Sequence, residues 1–483
     1  MRGEIVKSIW IWIIAGALTV CTVQCTTDYV TGKRTFSLVS ESQEIQMGKE
    51  ADPQIIAEYG LYDDLDLQAY VNGIGQDIAK VSQRPNLEYT IRVVDSPIVN
   101  AFALPGGYVY ITRGILANFN SEDELAGVMG HEIGHVVARH GAEQMSRAQL
   151  AGLGLAVGSV VSETFAKYSQ FAGAGVGLLF LSFSRGQESE ADLLGVEYST
   201  TLGYNSHRMA DFFKTLSTMR DKSGQSLPGF LSTHPDPGDR EVRVNQLTDE
   251  WQKKVAYKPL NKTRRDYLKH IDGIIYGDNP RQGFVENGVF YHPDLHFQFP
   301  VPDGWEVRNS ASTVMVIEPE KDAFVQMTMA KTESPGAAAD QFIKDSGANV
   351  ISRGNQTIDG LEAVVVTSDL VSQENTLRLQ SYFVEMKPRV FVFHGVTTPA
   401  DFSKYQAKLT SVPEGFRSVT DEGVLGRQPA RLRIAQAPRS TTVAEALRQL
   451  GARDDMLDAL ALLNGMSPQE QVEAGYWLKL VEE

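Results

Sequence analysis

One stretch decides the fold of this chain: SEDELAGVMGHEIGHVVARH, residues 121–140. Ser121 is followed three residues later by Glu124, the pattern of a capping box, which predicts that a helix begins here. Apolar residues then recur at helical spacing, and nothing breaks this pattern before Gly141. These apolar positions are Leu125, Val128, Met129, Ile133, Val136 and Val137. We therefore predict an amphipathic helix that packs against the core.

The same helix carries the motif H-E-x-x-H. His131 and His135 are one turn apart, so they share a face and can bind one metal ion. Glu132 is placed to take a proton from a metal-bound water, as in zinc metalloproteases. The alternative is a packing helix that carries two histidines by chance. A catalytic zinc needs a third protein ligand, and Gly141 excludes the variant in which a histidine stands there. His140 lies off the shared face. It is predicted either to contact a metal-binding residue without binding the metal itself or to face solvent.

A carboxylate further along the chain is the best candidate for the third ligand. Ser184 and Gln187 form a second capping-box pattern, so Glu188 falls in the first turn of another helix. Asp192 is one turn further on the same face. We predict that Glu188 binds the metal and that Asp192 accepts a hydrogen bond from a ligating histidine. The alternative is a solvated acidic helix start, which Glu190 fits better than Glu188 does.

These motifs, HEIGH followed by S-R-x-x-E-x-E-A-D, resemble the gluzincin metalloendopeptidase family of HtpX, BepA and the CAAX prenyl protease, peptidase family M48. Two further elements carry the resemblance. His234 and Pro235, followed by Arg240, match the H-P-x-x-x-x-R run of that family, and NAFALPGG at residues 100–107 matches its strand and turn ahead of the zinc helix. The resemblance covers residues 28–277 and is nearest to bacterial envelope members with additional C-terminal modules.

The resemblance implies a zincin-like fold and one Zn2+ per chain, bound by the two motif histidines and Glu188. Glu132 is then the general base that accepts a proton from the zinc-bound water. The resemblance gives His234 an auxiliary role at the metal, where it either supports the oxyanion or blocks the water. A loop histidine before a proline turn is the alternative for His234. Arg240 is expected to hold that loop by pairing with a carboxylate.

The segment ahead of the zinc helix is a candidate for substrate binding. Residues 108–112 are β-branched and aromatic, which predicts a strand, and a Pro-Gly-Gly turn precedes them. A protease holds its substrate extended, and adding the peptide to a sheet edge is the usual way to do so. We predict that Phe102, Ala103 and Leu104 lie along the cleft as this edge. An ordinary hairpin is the alternative.

The composition limits the possible functions. The chain has 483 residues, of which 42% are hydrophobic, so it can bury sizeable cores, and about three domains are expected at this length. Its 60 acidic and 45 basic residues give a formal net charge of −15. This charge argues against a nucleic-acid partner, because phosphate binding needs a basic surface.

The N-terminus has the pattern of an export signal. Arg2 and Lys7 precede an apolar run at residues 9–20, which is short for a membrane span. The only cysteines, Cys21 and Cys25, lie here, so the body of the chain has no disulfide and no thiolate ligand. We predict that residues 1–25 are a signal peptide or lipoprotein signal and that the protein is exported to the periplasm or envelope. A membrane anchor through lipidated Cys25, a simply cleaved signal and an uncleaved anchor are the alternatives.

An α+β architecture is predicted for the whole chain, beginning with a mainly helical protease domain at residues 26–280 that contains a small sheet. Within it, residues 150–183 are rich in Gly, Ala, Val and Leu. They predict a helical hairpin that packs over the active site or touches the membrane surface, with two buried helices as the alternative. Residues 253–277 predict a helix that closes the domain.

Two further modules are expected after the protease domain. Residues 284–420 predict an α+β domain with one antiparallel sheet, which faintly resembles the PsbP-like fold and has no catalytic constellation. Residues 430–483 predict a strand, two helices and a closing strand, a βααβ order that resembles a LysM module. That resemblance implies peptidoglycan as a partner, and a protein-docking cap is the alternative.

Three functions remain open from the sequence. The first is an envelope zinc endopeptidase that hydrolyses misfolded or misassembled proteins, which would be its substrates and partners. The second is a latent protease that acts mainly as a chaperone or assembly factor. The third is a peptidoglycan-associated scaffold, which rests on the C-terminal module alone. The intact H-E-x-x-H motif and Glu188 favour the first.

Overall fold

The fold is given by a computed structural model, which describes residues 25–27, 29–32, 34–152, 183–223, 229–234, 240–371 and 376–483. The predicted export signal before residue 25 and the predicted hairpin lie outside these residues, apart from the ends of the hairpin at 150–152 and 183. A short pairing of β1 (Cys25–Thr27) with β2 (Arg34–Phe36) begins the described chain. No helix in the described ranges is long and apolar enough to cross a membrane.

In the protease region (residues 34–277), helices surround a small sheet. Helices α1 (Glu41–Tyr59) and α2 (Leu65–Val81) precede β3 (Thr90–Val94), β4 (Ala101–Leu104) and β5 (Tyr108–Thr112). In this sheet β5 is central, with β3 parallel and β4 antiparallel to it. The sheet therefore presents β4 as an edge, in agreement with the predicted strand and turn.

Helix α3 (Arg113–Asn118) leads into the predicted motif helix, α4 (Glu122–Val137). The Ser121 side chain caps α4, but Glu124 accepts from the Asn120 amide, so the predicted capping box is only half formed. The predicted end at Gly141 is wrong, because Arg139 takes a positive φ of 58°. Its side chain there donates to Glu44 and to the Val39 carbonyl, and a new helix, α5 (His140–Gly152), follows.

The second motif lies on α6 (Arg185–Thr201), where Ser184 and Gln187 form the predicted capping box. Glycines let α6 approach α4 at backbone distance. A Cβ on Gly195 would lie 2.9 Å from the His131 amide nitrogen, and one on Gly130 would lie 3.1 Å from Gly195 Cα. This close approach brings the start of α6 beside the two motif histidines.

The remaining protease helices are α7 (His207–Ser223), the single turn α8 (Phe230–Thr233), α9 (Arg240–Lys254) and α10 (Arg264–Ile271). The prediction of one helix over residues 253–277 is therefore wrong. Helix α9 ends at Lys254, Ala256 and Asn261 take positive φ, and Thr263 caps a separate helix.

The sheet domain (residues 284–418) contains two sheets instead of the single sheet predicted. The smaller one has the order β16-β8-β7-β6, and the larger one has the order β12-β13-β14-β15-β11-β10-β9. The smaller sheet comprises β6 (Phe284–Glu286), β7 (Val289–His292), β8 (Phe297–Pro300) and β16 (Arg417–Ser418).

All strand pairs of the larger sheet are antiparallel. Its strands are β9 (Glu306–Asn309), β10 (Val314–Ile317), β11 (Phe324–Met329), β12 (Asn349–Ile358), β13 (Leu361–Val371), β14 (Thr376–Met386) and β15 (Arg389–Thr397). The described helices of this domain are α11 (Pro335–Ser346) and α12 (Phe402–Glu414). Strand β12 has no clear strand pattern in the sequence, because its residues do not alternate between apolar and polar.

The short helix α13 (Glu422–Leu425) leads to the C-terminal module (residues 431–482). The module has the predicted βααβ order: β17 (Arg431–Gln436), α14 (Val443–Gln449), α15 (Leu457–Leu463) and β20 (Trp477–Glu482). Strands β17 and β20 pair antiparallel, and β18 (Thr441–Thr442) pairs with β19 (Gln471–Val472). Residues of the module belong to the same buried apolar cluster as the protease helices. The module is therefore packed into the protease region.

Candidate metal centre

Helices α4 and α6 bring three predicted ligands together in the interior. His131 and His135 point their Nε2 atoms at each other, 3.0 Å apart. Glu188 reaches them from the first turn of α6, with Oε2 3.6 Å from His131 Nε2 and Oε1 3.5 Å from His135 Nε2. All three side chains are buried. The spacing of the two motifs and the glycine contact between the helices are sufficient to produce this cluster.

His234 completes the group. It follows α8, and its Nδ1 lies 3.0 Å from Glu188 Oε1 and 3.2 Å from His131 Nε2. One donor atom from each of the four side chains lies within 4.8 Å of the others. The Phe230 ring stacks on His234 at a centroid distance of 4.4 Å and fixes the plane of its imidazole.

The donor set fits a metal ion of the zinc type. Nitrogen and oxygen ligands at about 2.0–2.1 Å from a tetrahedral zinc lie about 3.3 Å from each other. Four of the separations within the group, which run from 3.0 to 3.6 Å, bracket that value. Such a concentration of lone pairs in a buried position is costly unless a cation or protons compensate it. The residues present are therefore those that a divalent cation requires.

Glu132 is buried beside the cluster, and neither carboxylate oxygen has a hydrogen-bond partner among the described residues. Its nearest charged neighbour is His234, whose Nε2 is 3.5 Å from Glu132 Oε1. Burial raises the pKa of Glu132, although His234 and His131 act in the opposite direction. A carboxylate with a raised pKa and free lone pairs is suited to accepting a proton.

Asp192 lies directly behind His131. Arg240 lies beside both, with one guanidinium nitrogen 3.2 Å from His131 Nε2 and 3.3 Å from Glu188 Oε2. Asp192 Oδ1 is 2.9 Å from His131 Nδ1, which leaves Nε2 of that ring directed at the cluster. Arg240 donates to both oxygens of Asp192 and stacks its guanidinium on the Phe213 ring at 4.0 Å. Burial alone would raise the pKa of Asp192, but Arg240 and His131 lower it to about 2. Asp192 is thus held as a carboxylate, and Arg240 has the carboxylate contact expected for it.

Behind His135 is a contact that the sequence left undecided. His140 is buried, and its Nδ1 lies 2.9 Å from His135 Nδ1. Its other ring nitrogen is 3.3 Å from Glu190 Oε2. His140 therefore supports a ligand from behind and does not face solvent. Glu190, which the sequence places at a solvated helix start, is partly exposed there and also contacts His140, because the turn at Arg139 brings His140 beside it.

The predicted substrate edge lies at the rim of the small sheet. Phe102, Ala103 and Leu104 are in β4, which pairs with β5 on one side. Among the described residues no strand pairs with its other side. Ala103 is the most exposed of the three, while Phe102 and Leu104 are buried. Val99, just before β4, accepts a hydrogen bond from the Phe230 amide, so this edge is tied to the turn that precedes His234.

Comparisons with known proteins agree with this geometry. The family model "Peptidase family M48" matches residues 66–249. The mitochondrial metalloendopeptidase OMA1 of Schizosaccharomyces pombe is 30% identical over 228 residues, which cover 47% of this chain and 67% of that protein. The beta-barrel assembly-enhancing protease of Escherichia coli is also 30% identical over 228 residues, 45% of this chain and 47% of its own length. The chain thus spans about half of the length of the latter relative.

The likeness to solved structures is weaker. The solution structure of cyanobacterial PsbP from Synechocystis sp. PCC 6803 is 12% identical, covers 29% of this chain and 92% of that one, and has a TM-score of 0.24. So low a score supports no fold assignment, and the PsbP-like fold stays a prediction. For the protease region, the match to the family model covers the helices that carry the cluster. The chain therefore belongs to peptidase family M48 and is a hydrolase of the metalloendopeptidase class.

Proposed function

We propose that this protein is a zinc endopeptidase of the bacterial cell envelope that hydrolyses misfolded or misassembled proteins. The observation that carries the proposal is the buried cluster of His131, His135 and Glu188 with the unpartnered carboxylate of Glu132 next to it. When bound there, zinc supplies a Lewis acid that lowers the pKa of water and polarises a carbonyl group. We propose that those three side chains hold it, one ion per chain.

Glu132 is the proposed general base. It accepts the proton of the attacking water and then gives it to the leaving amine. Both steps require a carboxyl group that takes up and releases a proton, and burial raises the pKa of Glu132 in the direction that favours proton uptake. Asp192 and Arg240 are proposed as positioning residues, because they hold the His131 ring through Nδ1. His140 and Glu190 are proposed to do the same for His135.

His234 has two possible roles at this site. Its Nδ1 lies among the donor atoms of the ligands, which favours a latent state in which His234 blocks the position of the water. Its Nε2 has no hydrogen-bond partner among the described residues, which favours support of a developing oxyanion. The substitution His234→Ala separates these roles. Activity rises if His234 blocks the site and falls if it supports the oxyanion, and a rise would favour the alternative of a mostly latent protease with an assembly role.

The proposed substrates are extended segments of envelope proteins, which pair with the edge strand at Phe102 to Leu104. The relative named beta-barrel assembly-enhancing protease supports a role in envelope protein assembly. Export to the periplasm or envelope, anchoring through Cys25 and contact with the membrane surface are proposed from the N-terminal sequence. Peptidoglycan binding by the C-terminal module is proposed from the LysM-like βααβ order alone.

The proposal is tested with the purified chain, Glu132→Gln, and the control Glu250→Gln, an exposed position on α9. Zinc content and cleavage of an unfolded protein are measured for each. We expect one zinc in all three proteins and cleavage by the wild type and the control only. The loss in Glu132→Gln should be at least about a hundredfold. If the wild type holds zinc but neither it nor His234→Ala cuts the substrate, the protein is not a peptidase.

A further inference from the structure

Strand β12 is the free edge of the seven-stranded sheet. It is ten residues long, Asn349 to Ile358, and pairs with β13 on one side only. Within the described part of the chain, no strand pairs with its other side. Every second residue of an antiparallel edge strand directs its N–H and C=O groups outwards, so β12 offers about five such residues over about 34 Å.

The other edges of the sheet domain are short and closed off. Strand β9, at the opposite end of the seven-stranded sheet, has four residues, including the ion pair of Glu306 with Arg308. Beyond it, the Ala311 amide donates to the Glu58 carbonyl of the protease helix α1. The outer strands of the smaller sheet, β6 and β16, have three and two residues. The sheet domain therefore leaves one long edge open.

Strand β12 has few of the features by which proteins protect an edge. It contains no proline and no lysine, and the bulge between Val350 and Ser352 lies near one end. Its single charge, Arg353, is paired with Asp340 of α11. Nine of its ten residues are exposed, on both faces of the strand. No neighbouring element of the described chain therefore covers the main-chain N–H and C=O groups along this edge. Val350 and Ile351 add exposed apolar surface at one end.

We propose that β12 is a docking strand for extended polypeptide, which binds by adding a strand to this edge. The proposal rests on the proposed function for the statement that the bound polypeptide is the substrate. Only an extended chain can satisfy a row of N–H and C=O groups, and recognition through the main chain tolerates many sequences. Such tolerance suits an enzyme that takes misfolded proteins, since these share exposed backbone and no common sequence.

A second copy of this chain is the other candidate to pair with the edge of β12. Two paired ten-residue edges with no contact above or below them bury roughly 700 Å² in total, against about 1,200 Å² for a stable dimer. Each copy also has a net charge of −15, which opposes self-association. A weakly and transiently bound substrate strand does not need the larger area. The edge is therefore suited to substrate and too small to hold a dimer.

The test uses lysine pairs, since lysine on an edge strand opposes the addition of another strand. The edge variant is Ser352→Lys/Gln356→Lys, with both exposed positions on one face of β12 beyond the bulge. The control is Ser403→Lys/Gln406→Lys, which makes the same two changes at exposed positions of α12. Both pairs are made in the full-length chain, with and without Glu132→Gln.

Binding is measured by fluorescence anisotropy with Glu132→Gln proteins and labelled, reduced and carboxymethylated α-lactalbumin, which stays unfolded. We expect the edge variant to bind about tenfold more weakly than the control. In the active background, cleavage of this polypeptide should slow by a similar factor. Cleavage of a peptide of about eight residues, which has little chain left to pair with β12 when its scissile bond is at the metal site, should stay unchanged.

Equal binding by the edge and control variants would overturn the proposal. It would also be overturned if the edge variant lost as much cleavage of the short peptide as of the long polypeptide. Light scattering gives the oligomeric state, and a wild-type dimer that becomes monomeric only in the edge variant would identify the edge as a self-interface. If the wild type cuts nothing but the edge variant still binds more weakly, the proposed function fails while the docking strand stands.

Discussion

The sheet domain and the C-terminal module follow each other along the chain, but different forces hold them to the protease region. The sheet domain has apolar clusters of its own, which include Phe297, Phe393 and Leu409. The C-terminal module has none. Its buried side chains, among them Leu432, Val443, Leu447, Leu460, Leu478 and Leu480, belong to the cluster that also contains the motif helix. A module with the pattern of an independent tail is thus part of the protease core.

The polar contacts of the C-terminal module and of the sheet domain with the protease region show the same difference. Lys479 of β20 is buried, and its Nζ donates to the carbonyl oxygens of Ala117 and Phe119 at 2.9 and 3.0 Å, at the end of α3. Arg264 of α10 donates to the Asn464 side chain and the Trp477 carbonyl. The sheet domain is connected through contacts such as the hydrogen bond from the Ala311 amide to the Glu58 carbonyl. The C-terminal module therefore stabilises the segment from which the motif helix begins.

The largest expected effect is that of truncation after residue 430. Each fully buried leucine or valine side chain contributes about 1.5–3 kcal/mol, and the module supplies enough of them to rival a total stability of about 5–15 kcal/mol. We expect the truncated protein to lose cooperative unfolding and to bind no zinc, as measured by circular dichroism and metal content. A truncated chain that keeps both would contradict the shared core.

Two cavity-creating substitutions, one in the C-terminal module and one in the sheet domain, test the same difference without removing a whole module. Leu447→Ala in the module and Leu409→Ala in the sheet domain both remove a buried leucine side chain, at a cost of about 2–5 kcal/mol. Leu447→Ala should lower the temperature at which peptidase activity is lost. Leu409→Ala should destabilise the sheet domain and leave that temperature unchanged. Equal shifts in the thermal inactivation of both variants would mean that the two regions unfold together.

Lys479→Met should have a smaller effect. It leaves the carbonyls at the end of α3 without their donor, which costs about 1.5–3 kcal/mol. The control Lys404→Met, at an exposed position of α12, should change the free energy of unfolding by less than about 0.5 kcal/mol. Urea unfolding measures both. A Lys479→Met protein as stable as the wild type would show that the buried amine adds nothing beyond what a methionine provides.

The smallest expected effect is a pH dependence at Glu124, on the first turn of the motif helix. Burial raises the pKa of Glu124 to about 7, so the folded state favours the protonated form. Its contribution to stability is present below the unfolded pKa of about 4.5 and is lost as the pH rises towards 7. Between pH 5 and pH 6.5 the wild type should lose about 1–2 kcal/mol relative to Glu124→Gln.

Urea unfolding of both proteins in the presence of a chelator measures this difference, because metal release is then absent and the ligand histidines titrate in both proteins alike. A difference between them that does not change with pH would contradict the raised pKa.

The sequence predicts which side chains of the metal site share a helix face, because that information is local. His131 with His135, and Glu188 with Asp192, are each one turn apart on a single helix, so helical periodicity alone predicts their shared faces. The pairing of His140 with Glu190 joins residues fifty positions apart and depends on the positive φ of Arg139. Periodicity contains no information about such a contact.

The sequence does not predict where the C-terminal module packs, for a similar reason. The apolar positions of α14 and α15 predict that each helix has a buried face, but they do not indicate what covers it. Lys479 is separated from its carbonyl partners by about 360 positions. An isolated lysine in a strand is also normally assigned to a solvated face.

The central claim is that α4 and α6 together form a metal centre, and the affinity for zinc tests it most directly. It is measured by competition with a chromophoric chelator for the wild type, Glu188→Gln and the control Glu197→Gln on the same helix. We predict one zinc per chain for the wild type and the control, and at least about a tenfold weaker affinity for Glu188→Gln. A wild-type chain that binds no zinc, or a Glu188→Gln chain that binds it equally well, would contradict the claim.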